Sequence, residues 1–454
     1  MLTTFVLIAA IVIGLYMAWN IGANDVANAM GTSVGSGALT LKQAVILAGI
    51  FEFSGAFFVG GHVAETIRKG IVDIDVLRAS SPIREPAPAT APGRSSSRPA
   101  EESGEVRPPA TRPAAWALRD PLRVKLVMGM LAALLAAALW LNVATFFGQP
   151  VSTTHAIVGA VVGFAVMAAG LDTVVWSKMG KIAASWVVSP VVGATLAFAI
   201  YRLIQRHVLR HRHPVFMAKR AIPLCFGSVA CILGLSILYK VLHVGRGTFY
   251  IALPLAMVFG MAVGLVARAV LLRRTAALRY RRKDRYTVVE KWFGRIQPIT
   301  ACYMAFAHGA NDVANAIGPL AGVFHFARGG EIGSKAPVPL WLLAMGGVGI
   351  VVGLATYGYK VMRAIGKRIT EITPTRGFAA EFGTASTVLV CSLMGLPIST
   401  TLVLVGAVMG VGLARGFAAI DMKVIRRIFA SWLITIPASA IFAAVLYKIL
   451  MSFV

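Results

Sequence analysis

Long apolar runs constrain this chain more than any other feature of its sequence. A helix needs about 20 apolar residues to cross the hydrocarbon core of a bilayer, and the chain offers ten to twelve runs near that size. The runs are continuous and do not alternate between apolar and polar residues, so they are not strands of an outer-membrane barrel. We therefore predict an all-α polytopic membrane protein. The runs lie at roughly residues 3–20, 41–66, 124–147, 151–171, 180–201, 221–242, 248–272, 296–320, 338–358, 379–394, 397–414 and 428–451.

The basic residues are concentrated between the apolar runs. The chain has 44 Lys and Arg against 18 Asp and Glu, a formal charge of +26. Residues 68–125, 202–220, 268–295 and 360–376 hold 32 of those 44 basic residues, as the bias of Lys and Arg toward cytoplasmic loops predicts. This distribution argues against a nucleic-acid surface and favours a multi-pass protein of the cell's inner (plasma) membrane. The four Cys show no metal or disulfide spacing.

Residues 79–122 are rich in Pro, Ser, Ala and Arg and have little to bury, so we expect a disordered cytoplasmic linker. The predicted organisation follows from this linker and from the repeat described next. Repeat 1 occupies 1–78 and 123–220, connecting helices and a basic loop occupy 221–295, and repeat 2 occupies 296–454.

An internal repeat organises the apolar segments. The octamer GANDVANA occurs at Gly22 to Ala29 and again at Gly309 to Ala316. A second pair follows in the same order, GQPVSTT at 148–154 and GLPISTT at 395–401, and Ala-Ser-Trp recurs at 184–186 and 430–432. In transporters, a duplication of this kind usually builds one site near the bilayer midplane, often from discontinuous helices. We predict two repeats, inverted if 151–171 crosses the membrane fully, with discontinuous or re-entrant helices.

The GANDVANA octamers place acidic side chains inside apolar segments, where they are costly and mark a functional site. Asp25 and Asn28 would share a helix face, as would Asp312 and Asn315 in the second copy, with Asn24 and Asn311 beside them. Carboxylate and amide oxygens suit a Na⁺-like cation, and the flanking Gly and Ala permit a broken helix with freed carbonyls as further ligands. The alternative is helix capping and close helix packing.

The Ser-Thr-Thr motifs predict two helix starts within the membrane. Pro suits the first turn of a helix and Ser or Thr its cap. The free N–H groups and positive end of such a helix, together with hydroxyls, bind anions. Residues 1–41, 126–177, 296–327 and 380–414 contain no Lys or Arg, so a bound anion must rely on neutral donors and co-bound cations. The alternative is that the hydroxyls bond to backbone carbonyls or between helices.

Charge balance suggests coupled transport. Two Asp and one mono- or divalent anion total −3 or −4 in a low dielectric, which requires compensation. The sequence allows either Na⁺ on the Asp and Asn oxygens or protons on the carboxylates. His155 and His308, each present in one copy only, are interpreted as hydrogen-bonded helpers, and Glu52 and Glu381 as secondary cation ligands, gates or helix-helix bonds.

The paired motifs, with EITPTRGFAAEFGTAST and GVGLARG, closely resemble the inorganic phosphate transporter (PiT) family. The resemblance covers nearly the whole chain outside 79–122 and implies a phosphate symporter of inverted repeats, driven by Na⁺ or H⁺. It also implies a cation and phosphate site. The residues carried over are Asp25, Asn28, Asp312 and Asn315, with Ser152, Thr153, Ser399 and Thr400 on phosphate oxygens and Thr154 and Thr401 nearby.

One position departs from the family pattern, because Leu402 stands where the family commonly has His after the second Ser-Thr-Thr. The family also includes sulfate permeases, so sulfate or another tetrahedral oxyanion is the alternative cargo.

Two other classes of function were weighed. A membrane enzyme could use Ser152 as nucleophile and His155 as base, but the second copy lacks the His. A passive anion pore would be expected to carry basic rings. We therefore predict a transporter and no enzyme, with no cofactor besides the coupling Na⁺ or H⁺. Its predicted partners are inorganic phosphate and the lipid bilayer, with no nucleic acid and with a homodimer as one assembly open to the chain.

Overall fold

The computed structural model describes most of the chain as α-helices joined by short connections. The described residues are 2–69, 71–80, 120–147, 151–241, 246–275, 284–332, 338–358, 373–416 and 422–453. Residues 81–119 of the predicted linker lie outside them, so the disorder of that segment stays a prediction. At the edges of the linker, one helix ends at Ala79 and the next begins at Pro121.

The all-helical prediction is confirmed. Within the described residues the only pairing of β type is an isolated bridge between Val72 and Val174. All twelve predicted apolar runs coincide with helices. The helices are α1 (Leu2–Gly35), α2 (Leu41–Val59), α3 (Gly61–Lys69), α4 (Ile74–Ala79), α5 (Pro121–Phe146), α6 (Thr153–Ala169), α7 (Trp176–Ile204), α8 (Pro214–Val241), α9 (Arg246–Thr275), α10 (Arg285–Ala327), α11 (Leu340–Gly353), α12 (Pro374–Leu393), α13 (Thr400–Arg415) and α14 (Met422–Met451).

Eight of the described helices are long and apolar enough to cross a membrane. They are α1, α2, α5, α7, α8, α9, α11 and α14, of which α7 and α11 are extended by π-helical turns. The two apolar helices that follow the Ser-Thr motifs, α6 and α13, have 17 and 16 residues. At 1.5 Å per residue each is about 25 Å long, slightly short of the hydrocarbon core. Whether they re-enter on one side of the membrane stays a prediction, as does the number of crossings.

The motif helices of each half pack against helices of the other half. In α1, a Cβ added at Gly22 would lie 1.9 Å from the carbonyl oxygen of Ile350 in α11. In α10, a Cβ added at the equivalent Gly309 would lie 2.1 Å from the carbonyl oxygen of Glu52 in α2. Only glycine permits such close approach of two backbones. The duplicated glycines therefore hold the two halves together through equivalent contacts.

A second pair of exchanged contacts involves the helices after the Ser-Thr motifs. Gly163 of α6 would meet the backbone of Ala440 in α14, and Gly410 of α13 would meet the backbone of Ala194 in α7. Both contacts bring a helix of one half against the last helix of the other half's repeat. Each half is therefore interlocked with the other rather than folded by itself.

The two GANDVANA helices run antiparallel to each other. Gly14, near the start of α1, packs on Leu320 near the end of α10. At the other end, Thr32 of α1 and Thr300 of α10 donate to the same carboxylate, that of Glu381. Two copies of one sequence lying antiparallel are what inverted repeats would produce, although the inversion of the halves as whole units stays a prediction.

The helix break that the flanking Gly and Ala would permit at GANDVANA is not seen, because α1 and α10 continue as α-helix through both octamers. The glycines allow close helix packing here, and neither helix unwinds at them. The irregular backbone near the motifs lies instead at Gly395, with φ +69°, and at the extended segment before α13.

Candidate functional site

The two motif aspartates, one from each half, meet in the interior. Ligand atoms of Asp25, Asp312 and His308 all lie within 4.8 Å of one another. Both carboxylates are buried, with at most 1% of either residue exposed. The pair forms because α1 and α10 cross with their GANDVANA faces toward each other. Two buried carboxylates this close repel each other unless cations or protons lie between them.

The motif asparagines connect the aspartates to the rest of the site. Asn28 donates to Oδ1 of Asp25 at 3.4 Å, so the predicted shared helix face is present. In the second copy, Asn311 donates to Oδ1 of Asp312 at 2.6 Å and also contacts the carbonyl oxygen of Ile398. Its counterpart Asn24 turns away and donates to Thr145 of α5. Asn24 therefore supports helix packing in this structure.

The Ser-Thr-Thr motifs form helix starts inside the protein, as predicted. Ser152 caps α6 by accepting from the backbone N–H of His155 at 3.2 Å, and Ser399 caps α13 by accepting from the N–H of Leu402 at 3.3 Å. Pro397 lies two residues before the cap rather than in the first helical turn, while Pro150 lies outside the described residues. Each capping serine keeps its own O–H as a donor.

The threonines of each motif bond to the asparagine and aspartate side chains. Asn28 of the first half donates to Thr401 of the second at 2.8 Å. Asn315 of the second half donates to Thr153 and Thr154 of the first at 3.1 and 3.2 Å. The two contacts are equivalent, and both connect one half to the other.

Two more hydrogen bonds connect the threonines to the second half of the chain. Thr400 donates to Oδ2 of Asp312 at 3.0 Å, and Thr154 donates to the carbonyl oxygen of Ile398 at 2.9 Å. The structure thus brings all ten residues predicted for phosphate into one buried cluster. They are Asp25, Asn28, Ser152, Thr153, Thr154, Asp312, Asn315, Ser399, Thr400 and Thr401.

An imidazole lies between two of the carboxylates. Nδ1 of His308 is 3.0 Å from Oε1 of Glu52, and its Nε2 is 2.8 Å from Oδ2 of Asp312. All three side chains are fully buried. The first half has Ile21 in place of this His, and Ile350 makes the backbone contact that Glu52 makes. The two aspartate sites are therefore chemically different despite the repeat.

Among the described residues, the contacts of His155 and Ser152 do not form a nucleophile and base pair. The His155 ring packs edge-on against Trp186 with the centroids 4.0 Å apart, while Ser152 Oγ accepts from the backbone of His155. Trp186 in turn donates to the carbonyl oxygen of Pro397. The third repeated motif thus supports the backbone before α13.

A second buried cluster consists of Glu381 of α12 and the neutral polar side chains around it. Oε1 of Glu381 accepts from Thr32, from Ser33 at 2.6 Å and from Gln297 at 3.1 Å, and its Oε2 accepts from Thr300. The sequence had indicated Glu381 as a candidate, but it had missed these four partners. A polar residue in an apolar run was the only signal available, because the partners come from two other helices.

The polar groups of this buried cluster suit an oxyanion together with hard cations. Among the described residues, Asp25 Oδ2, Glu52 Oε2 and Asn315 Oδ1 are buried oxygens without a hydrogen-bond partner, the kind of acceptor that coordinates Na⁺-like ions. Six hydroxyls and two helix N-termini supply donors for an anion. No Lys or Arg occurs in the segments that form the cluster.

Comparisons with known proteins identify the family of the chain. Residues 21–443 match the model described as the phosphate transporter family. A Pyrococcus abyssi protein, named as a phosphate permease, is 46% identical over 444 residues, which cover 98% of each chain. The chloroplastic inorganic phosphate transporter 2-1 of Arabidopsis thaliana is 41% identical, with 96% of this chain and 71% of that protein covered. A solved structure described as the sodium-dependent phosphate transporter is 37% identical, with a TM-score of 0.84 over 99% of this chain and 100% of that one.

Proposed function

This chain belongs to the phosphate transporter family, and on that premise we propose that its buried Asp, Asn, Ser and Thr cluster binds phosphate together with Na⁺. The protein transports inorganic phosphate across a membrane by secondary active transport and is not an enzyme. The observation that carries the site proposal is the paired bonding of each half's asparagine to the other half's threonines. Through these bonds the start of α13 contacts α1 beside Asp25, and the start of α6 contacts α10 beside Asp312.

Phosphate binding is proposed at the start of α6 and α13. Ser152 and Ser399 cap these helices, so each helix start offers a serine O–H and the remaining free N–H groups of its first turn as donors. Thr153 and Thr401 accept from Asn315 and Asn28, which leaves their own O–H groups to donate to phosphate oxygens. Thr400 would exchange its bond to the Asp312 carboxylate for one to phosphate, so that one charge-assisted hydrogen bond replaces another.

Na⁺ coordination is proposed at Asp25 and Asp312, with oxygens of Asn28, Asn311 and Asn315 as further ligands; Asn24, whose amide bonds to Thr145, is left out of this set. The supporting observations are the close approach of the two carboxylates and the unpartnered oxygens of Asp25 and Asn315. Bound Na⁺ would offset the charge of the aspartates and the phosphate, which no basic side chain of these segments can do. A structural relative described as sodium-dependent favours Na⁺ over H⁺.

A further cation position is proposed at Glu381, two turns from Asp25 along α1. Ser33 lies eight residues beyond Asp25, about 12 Å along the helix, and binds the Glu381 carboxylate. Hydroxyl and amide oxygens around a carboxylate form a hard-oxygen set. The Glu381 carboxylate and its partners would bind Na⁺ on its way to or from the aspartates.

The test is uptake of labelled phosphate by proteoliposomes, with Na⁺ and pH gradients imposed separately. An inward Na⁺ gradient should drive accumulation of phosphate above equilibrium, and a pH gradient alone should not. Accumulation driven by the pH gradient alone would reject Na⁺ in favour of H⁺, and no accumulation with either gradient would reject symport. Sulfate in excess should leave uptake largely unchanged, whereas strong inhibition would point to the alternative oxyanion cargo.

Three finer properties follow as proposals. We propose that the protein lies in the plasma membrane and that its basic loops face the cytoplasm. A homodimer remains a prediction from the sequence.

A further inference from the structure

An open groove lies between α8 and α9, away from the ten buried residues that are proposed to bind phosphate and Na⁺, which we call the transport cluster. Its cavity volume is about 760 Å³, within the roughly 300–1,000 Å³ usual for small-molecule sites. The walls are apolar, and four of their large side chains are more than half exposed. They are Leu224 of α8 and Met257, Met261 and Leu265 of α9.

Small residues where the two helices touch create the groove. A Cβ added at Gly260 would lie 2.6 Å from the carbonyl oxygen of Gly227, and one at Gly264 would lie 3.0 Å from that of Pro223. These contacts show that α8 and α9 run antiparallel with closely approaching backbones. With no side chain at the seam, the Leu and Met side chains stand on either side of a channel along both helices.

One end of the groove is positively charged. Arg220 of α8 and Arg268 of α9 line the same cavity, and the antiparallel register places them at the same level. The guanidinium of Arg220 stacks on the ring of Phe216 at 4.5 Å, which orients it. No acidic residue is among the described residues that line the cavity. The two charges are therefore free to bind an anion.

The arginines lie at the depth of a lipid headgroup. Both occur at the ends of apolar spans that border the basic loops 202–220 and 268–295, which positions the pair at the cytoplasmic surface of the membrane. Only 11% of the most apolar stretch of α9 is buried in protein, so the groove opens to lipid. The cytoplasmic leaflet is the one that carries anionic lipids, and basic pockets between helices on that side bind their headgroups.

We propose that the groove between α8 and α9 is a binding site for an anionic glycerophospholipid of the cytoplasmic leaflet. The lipid phosphate binds between Arg220 and Arg268, and one acyl chain lies along the groove past Ser228 and Cys231. The site is separate from the phosphate transport cluster, which is formed by other helices and contains no basic side chain.

A second copy of the chain fits the groove less well than a lipid does. Copies of a membrane protein related by a two-fold axis along the membrane normal place identical residues at the same depth. A dimer formed across this groove would bring two Arg220 and two Arg268 into one layer. Four like charges without acidic partners oppose association.

Native mass spectrometry of the detergent-purified protein tests the proposal. The wild type is mixed with dioleoylphosphatidylglycerol or with dioleoylphosphatidylcholine, which has the same acyl chains. We expect preferential retention of phosphatidylglycerol. The preference should fall on the order of 5-fold in Arg220→Gln or Arg268→Gln and about 25-fold in the double variant. Arg202→Gln is the matched control, because this exposed arginine also lies over an aromatic ring, that of Phe198, outside the groove.

The acyl-chain part of the proposal has its own variant. Ser228→Trp fills the groove and should reduce retention of both lipids, while its size-exclusion profile stays that of the wild type. If Ser228→Trp does not elute as the wild type does, the arginine variants, whose changes lie on exposed side chains, decide the outcome alone.

Three outcomes would overturn the proposal. One is equal retention of the two lipids by the wild type, or an unchanged preference in the double arginine variant. The second is complete displacement of phosphatidylglycerol by millimolar inorganic phosphate, which would assign the arginines to free phosphate. The third is a change of oligomeric state in the double variant with lipid retention unaltered, which would show that a second copy covers the groove.

Discussion

At the scale of single residues, burial without Lys or Arg sets apart the carboxylates proposed to bind Na⁺. Asp25, Asp312 and Glu381 are all buried, and each is bonded to neutral hydroxyl or amide groups. His308 is the one basic group in contact with them among the described residues, and it lies between Asp312 and Glu52. A single imidazole cannot offset all of these buried carboxylates, so we propose that a mobile cation compensates the remainder.

Replacement of either motif aspartate tests the cluster directly. Asp25→Asn and Asp312→Asn preserve side-chain shape and remove the charge that the coupling cation needs. We expect phosphate uptake driven by a Na⁺ gradient to fall to background in both variants. The measurement is labelled phosphate uptake in proteoliposomes, with size-exclusion chromatography to show that the protein is folded.

The control for these variants is Asp172→Asn, which makes the same chemical change at an exposed position between α6 and α7. It should transport as the wild type does. Normal coupled uptake by both Asp25→Asn and Asp312→Asn would show that the cation site lies elsewhere.

Glu381 allows a more selective prediction. Glu381→Gln keeps a hydrogen-bonding group among Thr32, Ser33 and Thr300 but removes the charge. We expect the Na⁺ concentration for half-maximal uptake to rise roughly ten-fold, the effect of losing one charged hydrogen-bonding partner. At saturating Na⁺ the variant should still bind phosphate. Uptake titrated with Na⁺ gives the measurement.

Exposed Glu331 supplies the control, since Glu331→Gln alters charge by the same amount away from the buried cluster. An unshifted Na⁺ titration in Glu381→Gln would assign Glu381 to helix packing alone.

At the scale of helices, glycine decides how closely the two halves approach. The octamer glycines Gly22 and Gly309 each lie against a backbone carbonyl of the opposite half. A backbone cannot rotate away as a side chain can, so any added carbon must push the helices apart. The same glycines position Asp25 and Asp312, which lie three residues further along each helix.

Gly22→Ala should therefore destabilise the protein. The added carbon would lie 1.9 Å from the carbonyl oxygen of Ile350, and overpacking of this kind typically costs about 1–3 kcal/mol. We expect a lower Tm in a thermal unfolding assay of the detergent-purified protein. Gly180→Ala is the control: it lies in α7 with no atom within 4 Å of the added carbon, so it should be neutral or stabilising by up to about 1 kcal/mol. Equal Tm values for the two variants would contradict the packing argument.

At the scale of the whole molecule, helices of each half pack against helices of the other half. Helix α1 packs on α11, α2 on α10, α6 on α14 and α7 on α13. Every one of these contacts joins repeat 1 to repeat 2. The proposed site is thereby built from both halves, and neither half contains all of its residues.

Division of the chain between α9 and α10 tests this arrangement. Fragments 1–275 and 284–454, expressed together, should associate and restore Na⁺-driven phosphate uptake, because the contacts between halves are extensive and apolar. Each fragment expressed alone should give no uptake and should be degraded or aggregated. The association is measured by copurification of a tagged fragment with its partner. Uptake by either fragment alone would show that the site does not need helices of both halves.

The sequence by itself determined the helical membrane class, the duplicated motifs and the residues of the transport cluster. Those properties depend on local chemistry: apolar length, a charge inside an apolar run, and Ser or Thr before a helix. Asp25, Asn28 and Ser152 could be found in this way because each is out of place in its own segment. The same reasoning left open whether α1 breaks at GANDVANA, since glycine allows both unwinding and close packing.

Only the tertiary structure decided which residues meet. The contact of Asn315 with Thr153, the bridge from Glu52 through His308 to Asp312, and the four partners of Glu381 join positions far apart in the chain. Ordinary Ser, Thr and Gln side chains such as Ser33 and Gln297 give no signal of their own in a sequence. They become ligands of a carboxylate because close helix packing, made possible by glycine, brings them within hydrogen-bond distance where no water competes.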